Sequence, residues 1–284
     1  MKTRAALLML VPATLLFIAV FVVPMLMVGR LSLFKTDYVK ETFVGLANFK
    51  AAFTDPYFQK SFFNSLMLVV MALPPMMIIG YTVAMSLAQF NEGIRSTMRF
   101  FLYIPTLASG LILGLVWAWF LSRGGVVNGL LGLVGIDPVP WFFEKWPARV
   151  ALAIVVVSVN IGGNVILFSM FLNSIPADLK AAAMIDGANE RQYRKYIQRP
   201  LMMPMILLAV LLAIVGNMQI WETVYMLTAE GGPEGSTASP VYEIFLTAFI
   251  YGKHGLAAAK GIILLAVTVG ILMLKGRLEK VFKW

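Results

Sequence analysis

The sequence predicts an all-α protein that crosses a membrane six times, and three observations carry this. Hydrophobic residues make up 60% of the 284 and charged residues only 13%, where a soluble domain carries about 25% charged residues. The apolar residues gather into blocks long enough to cross a bilayer, which takes about 20 residues of helix. The basic residues fall mainly in short segments between those blocks. A chain in hydrocarbon has to satisfy its own backbone hydrogen bonds, so each block is expected to be helical.

The spans read as residues 5–29, 65–88, 101–121, 150–172, 201–224 and 256–274, in a single transmembrane domain covering 1–284. Lys2 and Arg4 precede the first block as they would in a signal peptide. The block is longer than a signal core, and no small-residue cleavage site follows it, so an uncleaved first span is expected. Basic residues are denser in the segments that include Arg95, Arg99, Lys180 and Arg191–Arg199, and at the two ends with Lys2, Arg4, Lys275, Arg277, Lys280 and Lys283. By the positive-inside rule these segments and both termini face the cytoplasm. Lys260 falls at the outer end of the last span, where it is expected to snorkel to the interface, and Arg149 falls in an outer loop. Trp117, Trp119, Trp141 and Trp146 sit where headgroups would be.

The net charge of +9 thus reads as topology rather than as a nucleic-acid surface. With no cysteine, disulfides, thiolate metal sites and a Cys nucleophile are excluded. The one histidine, His254, has no Asp, Glu or His at metal-ligand spacing. No phosphate-binding GxxxxGK[ST] loop is present. No catalytic or metal site is expected.

Inside the spans, Pro74-Pro75 predict a kink, which serves either packing or a solute path. Ser109, Gly110 and Gly114 give small residues at helix-packing spacing. Asn160 and Asn164, four apart with Gly162-Gly163 between them, share a helical face. Buried amides need a partner, which here is either a neighbouring helix or a solute. Asn217 and Trp221 share a face in the fifth span, followed by Glu222 near the outer surface. Asn160, Asn164, Asn217, Trp221 and Glu222 are the candidate path residues.

The longest inner loop, residues 173–200, reads as two short helices at a bend. Pro176 suits a first turn, and Ala181-Ala182-Ala183 has high helix propensity. Asp186-Gly187 stops the helix through a left-handed glycine. Asn189 and Gln192 have capping-box spacing for a second helix, in which Tyr193, Tyr196 and Ile197 form an apolar stripe. These residues allow either an interfacial connector or a docking element.

Ala182-Ala183-Met184-Ile185-Asp186-Gly187-Ala188, with Pro200 and Pro204, resembles the EAA loop of binding-protein-dependent ABC importer permeases. The stretches 43–49, Asp55-Pro56, Arg99-Phe100, Pro105, 117–119, Gly125, Asn128, 227–233 and 257–259 are similar to the sugar-permease branch that includes maltose and glycerol-phosphate transporters. Two positions depart from the pattern: Ala181 stands where the family usually has Glu, and Ser158 where the branch often has Trp.

The resemblance implies a permease subunit that carries a sugar or oligosaccharide by alternating access across the cytoplasmic membrane of a prokaryote. It implies that Ala182, Ala183, Asp186, Gly187 and Ala188 dock on an ATPase. The implied partners are a second permease, two ATPase subunits, an extracytoplasmic solute-binding protein and membrane lipid, with no nucleic acid. No cofactor is expected on this chain, ATP and Mg being expected on the ATPase. A secondary transporter would usually show acidic residues in mid-membrane, where Glu222 is the one candidate. An intramembrane enzyme would need paired acids, a Ser with a base, or metal ligands.

Overall fold

A computed structural model describes the backbone of residues 2–37 and 40–281, and the side chains of residues 9–36 and 40–273. The side chains of Lys2, Arg4, Lys275, Arg277 and Lys280, and all of Lys283, lie outside the described residues.

The described residues are mostly helical. Helix α1 (Lys2–Phe17) continues through a wide turn, Ile18–Val22, into α2 (Val23–Leu31). A short hairpin of β1 (Phe34–Asp37) and β2 (Lys40–Phe43) pairs antiparallel, Phe34 opposite Phe43. Then come α3 (Ala47–Thr54), α4 (Pro56–Leu87), α5 (Glu92–Leu107), α6 (Gly110–Phe120), α7 (Val126–Leu133) and α8 (Lys145–Ser174). After them come α9 (Ala177–Ile185), α10 (Glu190–Tyr193), α11 (Arg199–Gln219), α12 (Glu222–Leu227), α13 (Pro240–Phe245) and α14 (His254–Val281). Among the described residues five helices are long and apolar enough to cross a membrane, or six if α5 and α6 count as one bent span.

Two expectations about the spans change. The third is not one helix: α5 ends at Leu107, α6 starts at Gly110, and their axes meet at 95°. Ser109 caps α6 by accepting from the Leu111 N–H at 3.2 Å, and that local bond replaces the helical ladder at the break. The fifth also breaks, at extended Ile220 and non-helical Trp221. By contrast α4 runs through Pro74-Pro75 as one 32-residue helix, so the prolines do not divide it. The loops expected on the outer side also hold the helices α3, α7 and α13 and the β-hairpin.

Internal contacts gather the chain into two units. One takes the stretch up to Gln59 with Glu243–Val267, and the other takes Lys60–Tyr242 with the stretch from Thr268. In the first unit, Asn48 of α3 donates to the carbonyls of Ser32 and Phe34, both at 2.9 Å. Ala257, Ala258 and Ala259 are buried at the start of α14. Lys260 does not snorkel. It is only 2% exposed, and its Nζ lies 2.7 Å from Asp55 Oδ2 and 2.8 Å from Thr247 Oγ1, over the Phe58 ring. A buried ammonium needs such partners, because desolvation without them costs several kcal/mol.

In the second unit, Ala84, Leu87, Val165, Phe168 and Met202 form an apolar core where α4, α8 and α11 meet. Arg149 is not a loop charge. It lies in the first turns of α8, 7% exposed, donating to Asn64 Oδ1 at 3.1 Å and to the Ser236 carbonyl at 3.2 Å, and stacking on Trp146. Asn128 is buried too. It accepts from Val139 N–H and Trp141 Nε1 and donates to Ser122 and Val139 carbonyls. Trp141 is thereby tied into a turn rather than free at an interface.

Candidate functional site

A cleft of about 480 Å³ opens between α8 and α11 in the second unit. Asn160, Gly163 and Asn164 line it from α8, and Gly216, Asn217 and Gln219 from α11. Among the described residues no Asp, Glu, Lys or Arg lines it. Its other walls are mostly apolar, with Met76 of α4, and Thr223 of α12 adds one hydroxyl-bearing side chain.

Each amide is held by its own helix. Asn160 Nδ2 donates to the Val156 carbonyl at 2.8 Å, Asn164 Nδ2 to Asn160 at 2.9 Å, and Asn217 Nδ2 to Ala213 at 2.8 Å. The four-residue reach back along the helix satisfies the donor. Each amide oxygen is left without a hydrogen-bond partner among the described residues. Bonding of these amides to a neighbouring helix, one of the two sequence readings, does not form among the described residues.

The two glycines between Asn160 and Asn164 do different work. A Cβ on Gly162 would run into the Leu102 carbonyl oxygen, so glycine there lets α5 cross α8 at backbone contact. Gly163 meets nothing within 4 Å and borders the cleft.

Two candidate path residues lie elsewhere. Trp221 and Asn217 do not share a helical face, because α11 ends at Gln219 between them. Trp221 is the residue before α12 and is not in the cleft lining. Glu222 turns to the break between α5 and α6, its Oε2 3.3 Å from Ser109 Oγ. Gly110 and Gly114 receive α12: added Cβ atoms would lie 2.8 Å from Glu222 Oε2 and 2.8 Å from Met226 Cβ. The small-residue spacing in the third span therefore serves this helix pair. Thr223 and Gly216 were not singled out from the sequence. Thr223 follows an unrecognised break, and Gly216 beside Asn217 was its only local sign.

The long connector forms the predicted bend. Pro176 precedes α9 as its cap, and α9 ends at Ile185. Gly187, at φ 84, is left-handed. Its N–H donates to Met184 at 3.1 Å, and the Ala188 N–H donates to Ala183 at 2.9 Å. This pair of bonds is a Schellman motif, which satisfies carbonyls that the helix end leaves open. The capping box forms as spaced: Asn189 Oδ1 accepts from Gln192 N–H, and Gln192 Oε1 accepts from Asn189 N–H. Lys180 and Arg194 both pair with Glu190, at 2.9 and 3.1 Å, which ties α9 to α10.

Ala182, Asp186 and Gly187 are exposed, and Ala188 is half-buried. Ile185 stands 86% exposed at the tip, while Ala183 is buried in the loop itself. Tyr193 is buried and Tyr196 exposed, so the expected stripe is split between two sides.

Among the described residues no group of three or more His, Asp or Glu is placed to hold a metal.

Comparison with known proteins gives the same picture along the whole chain. The chain is 27% identical over 268 residues to the sulfoquinovosyl glycerol transport system permease protein SmoG of Agrobacterium fabrum, covering 93% of this chain and 86% of that protein. It is 28% identical over 288 residues to the trehalose/maltose transport system permease protein MalF of Thermococcus litoralis, covering 98% and 96%. Its fold matches a chain in the crystal structure of a bacterial ABC transporter involved in the import of the acidic polysaccharide alginate. That match has a TM-score of 0.83 at 21% identity and covers 98% of this chain and 96% of that one. The family model for the binding-protein-dependent transport system inner membrane component matches residues 76–283, which hold the cleft and the bent connector together, and the chain belongs to that family.

Proposed function

We propose that this chain is one permease half of an ATP-driven importer and carries a polar, uncharged solute, a sugar or short oligosaccharide. The observation that carries this is the cleft: amide oxygens on two helices, glycine-made space and, among the described residues, no charged side chain. Amide oxygens accept from sugar hydroxyls, whereas a carboxylate or phosphate favours Arg or Lys. The relative named for trehalose/maltose supports an uncharged sugar, and the one named for sulfoquinovosyl glycerol supports a sugar-containing solute.

Residues 1–284 act as one permease domain, with both termini and the connector on the cytoplasmic side. A second permease completes the path, two ATPase subunits bind ATP and Mg, and an extracytoplasmic binding protein delivers solute. The α9–α10 bend is the coupling element. Ile185, Ala182, Asp186 and Gly187 present its outer surface, and Ala183 supports it from within. Lys180 is engaged by Glu190, so docking rests on the shape of the bend and on Ile185.

The test is uptake of labelled maltose-class oligosaccharides by the complex in proteoliposomes, with Asn160, Asn164 and Asn217 changed together to Ala. Uptake is expected to fall while the subunits still copurify. Transport of an anionic solute, undiminished in the triple variant, overturns the assignment.

A further inference from the structure

A second cavity of about 460 Å³ lies away from the amide cleft, bounded by α4, α8 and the start of α11. Its lining is apolar apart from three residues: Tyr81, Lys195 and Arg199. Along α11 the wall passes from Arg199 and Pro200 to Met202, Met203 and Ile206. Met77 and Ile78 of α4 form the facing wall, and Phe168 closes the floor, its ring edge-on to Tyr81. The groove is thus cationic at one end and oily along its length.

The two cations have no acid to answer them. Lys195 and Arg199 form no ion pair among the described residues. The one carboxylate on their segment, Glu190, is taken by Lys180 and Arg194. Lys195 lies over Tyr196, whose ring face attracts the cation but supplies no counter-ion. A snorkelling cation needs only water or headgroups. Two of them bordering one apolar groove of ligand-pocket size, which runs about 300–1,000 Å³, match a molecule with an anionic head and a hydrocarbon tail.

We propose that this groove binds an anionic phospholipid of the inner leaflet. Its phosphate sits on Lys195 and Arg199, and an acyl chain lies along Met203, Ile206 and Ile78. The site rests on the cytoplasmic placement of the connector proposed above. Basic pockets between spans on the cytoplasmic side recognise such headgroups. The groove adjoins the connector, because Lys195 and Arg199 follow directly on α10, whose Glu190 is bonded to α9. A bound headgroup therefore ties the inner leaflet to the segment that leads into the bend.

The experiment photolabels the purified complex in nanodiscs with diazirine-bearing phosphatidylglycerol or phosphatidylcholine, and maps the labelled peptides. Phosphatidylglycerol is expected to label peptides spanning residues 77–81 and 202–206 in preference to phosphatidylcholine. Lys195→Gln with Arg199→Gln is expected to weaken that preference by roughly thirtyfold, the loss of two surface cations. Ile206→Trp, which fills the groove and keeps both charges, is expected to displace the label as well. Equal labelling by the two lipids, label unchanged in the double variant, or cross-links from Ile78→Cys to a second permease chain each overturn the proposal. Labelling of Lys195→Cys by a membrane-impermeant maleimide from the outside overturns the orientation instead, and that result is read separately from lipid retention.

Discussion

Lys260 and Asp55 form a 2.7 Å ion pair in which the lysine is almost fully buried and the aspartate partly open. That asymmetry sets which partner is more costly to remove. Asp55→Asn removes the direct ion-pair partner of a buried ammonium, leaving Thr247, a ring face and the more distant Glu243, and is expected to destabilise by about 3 kcal/mol, within the range for breaking a buried pair. Lys260→Met leaves a carboxylate that reaches water and still accepts from Tyr57 and Phe58 N–H, so it is expected to be milder. Thermal unfolding of the purified complex checks the order. Equal losses in the two variants contradict this account.

Asp55 and the neighbouring Glu243 titrate in opposite senses. Burial raises the Asp55 pKa, but the hydrogen bond and charge of Lys260, with the two N–H groups, hold it below the ordinary carboxylate value. Its stabilisation is full above that ordinary value and is lost as pH falls through the lowered one. Burial raises Glu243, and Lys260 offsets this only in part. Its protonated form suits the fold, so stability is lost as pH rises through the raised value. Glu243→Gln is therefore expected to be more stable than the parent at alkaline pH and equal to it at acid pH. A pH-independent difference rules this out.

Gly162 and Gly163 are expected to respond in opposite ways to the same small change. Gly162→Ala places a methyl into the Leu102 carbonyl and is expected to cost about 1–3 kcal/mol as overpacking, seen as reduced subunit recovery. Gly163→Ala meets open space and is expected to fold normally, with its effect confined to uptake. Normal recovery and uptake in Gly162→Ala contradict the α5–α8 contact.

In the connector, Gly187→Val forces a branched residue into a left-handed site, at about 1–2 kcal/mol. It is expected to weaken solute-stimulated ATP hydrolysis while leaving insertion intact. Ile185→Ser keeps the bend and removes its apolar tip, and is expected to lower ATPase copurification. Ala181→Glu, which restores the residue usual in the family, is expected to be tolerated or to strengthen association. Normal assembly and stimulation in both Gly187→Val and Ile185→Ser would leave the bend as a connector only.

Reporter fusions after Arg95 and Lys195 are expected to read as cytoplasmic, and fusions after Lys50 and Lys145 as external. The reverse pattern contradicts the orientation.

The bend was legible because its chemistry is local. Asp186-Gly187 and the Asn189/Gln192 pair act within a few residues of themselves. Asn160 and Asn164 were legible as polar exceptions in an apolar helix. The interruption at Ala108-Ser109 was not, because hydropathy runs on across it, and the one at Ile220-Trp221 was not, because its polar neighbours read as the outer end of a span. Nor were the pairings of Lys260 with Asp55 and of Arg149 with Asn64. Their partners are distant in sequence, and a cation near a span end reads as interfacial until its neighbours are known.

Glu222 has no basic side chain beside it among the described residues, yet it is not an isolated charge. Its carboxylate lies against Ser109 and Gly110, at the amino end of α6. The unpaired N–H groups there carry the equivalent of about half a positive charge. The backbone thus supplies a counter-charge that a mobile lysine or arginine would otherwise provide, and it does so without a donor that could swing away. On the solute path proposed above, a cation drawn to Glu222 would have to compete with a dipole that is fixed in the fold, whereas a neutral solute would not.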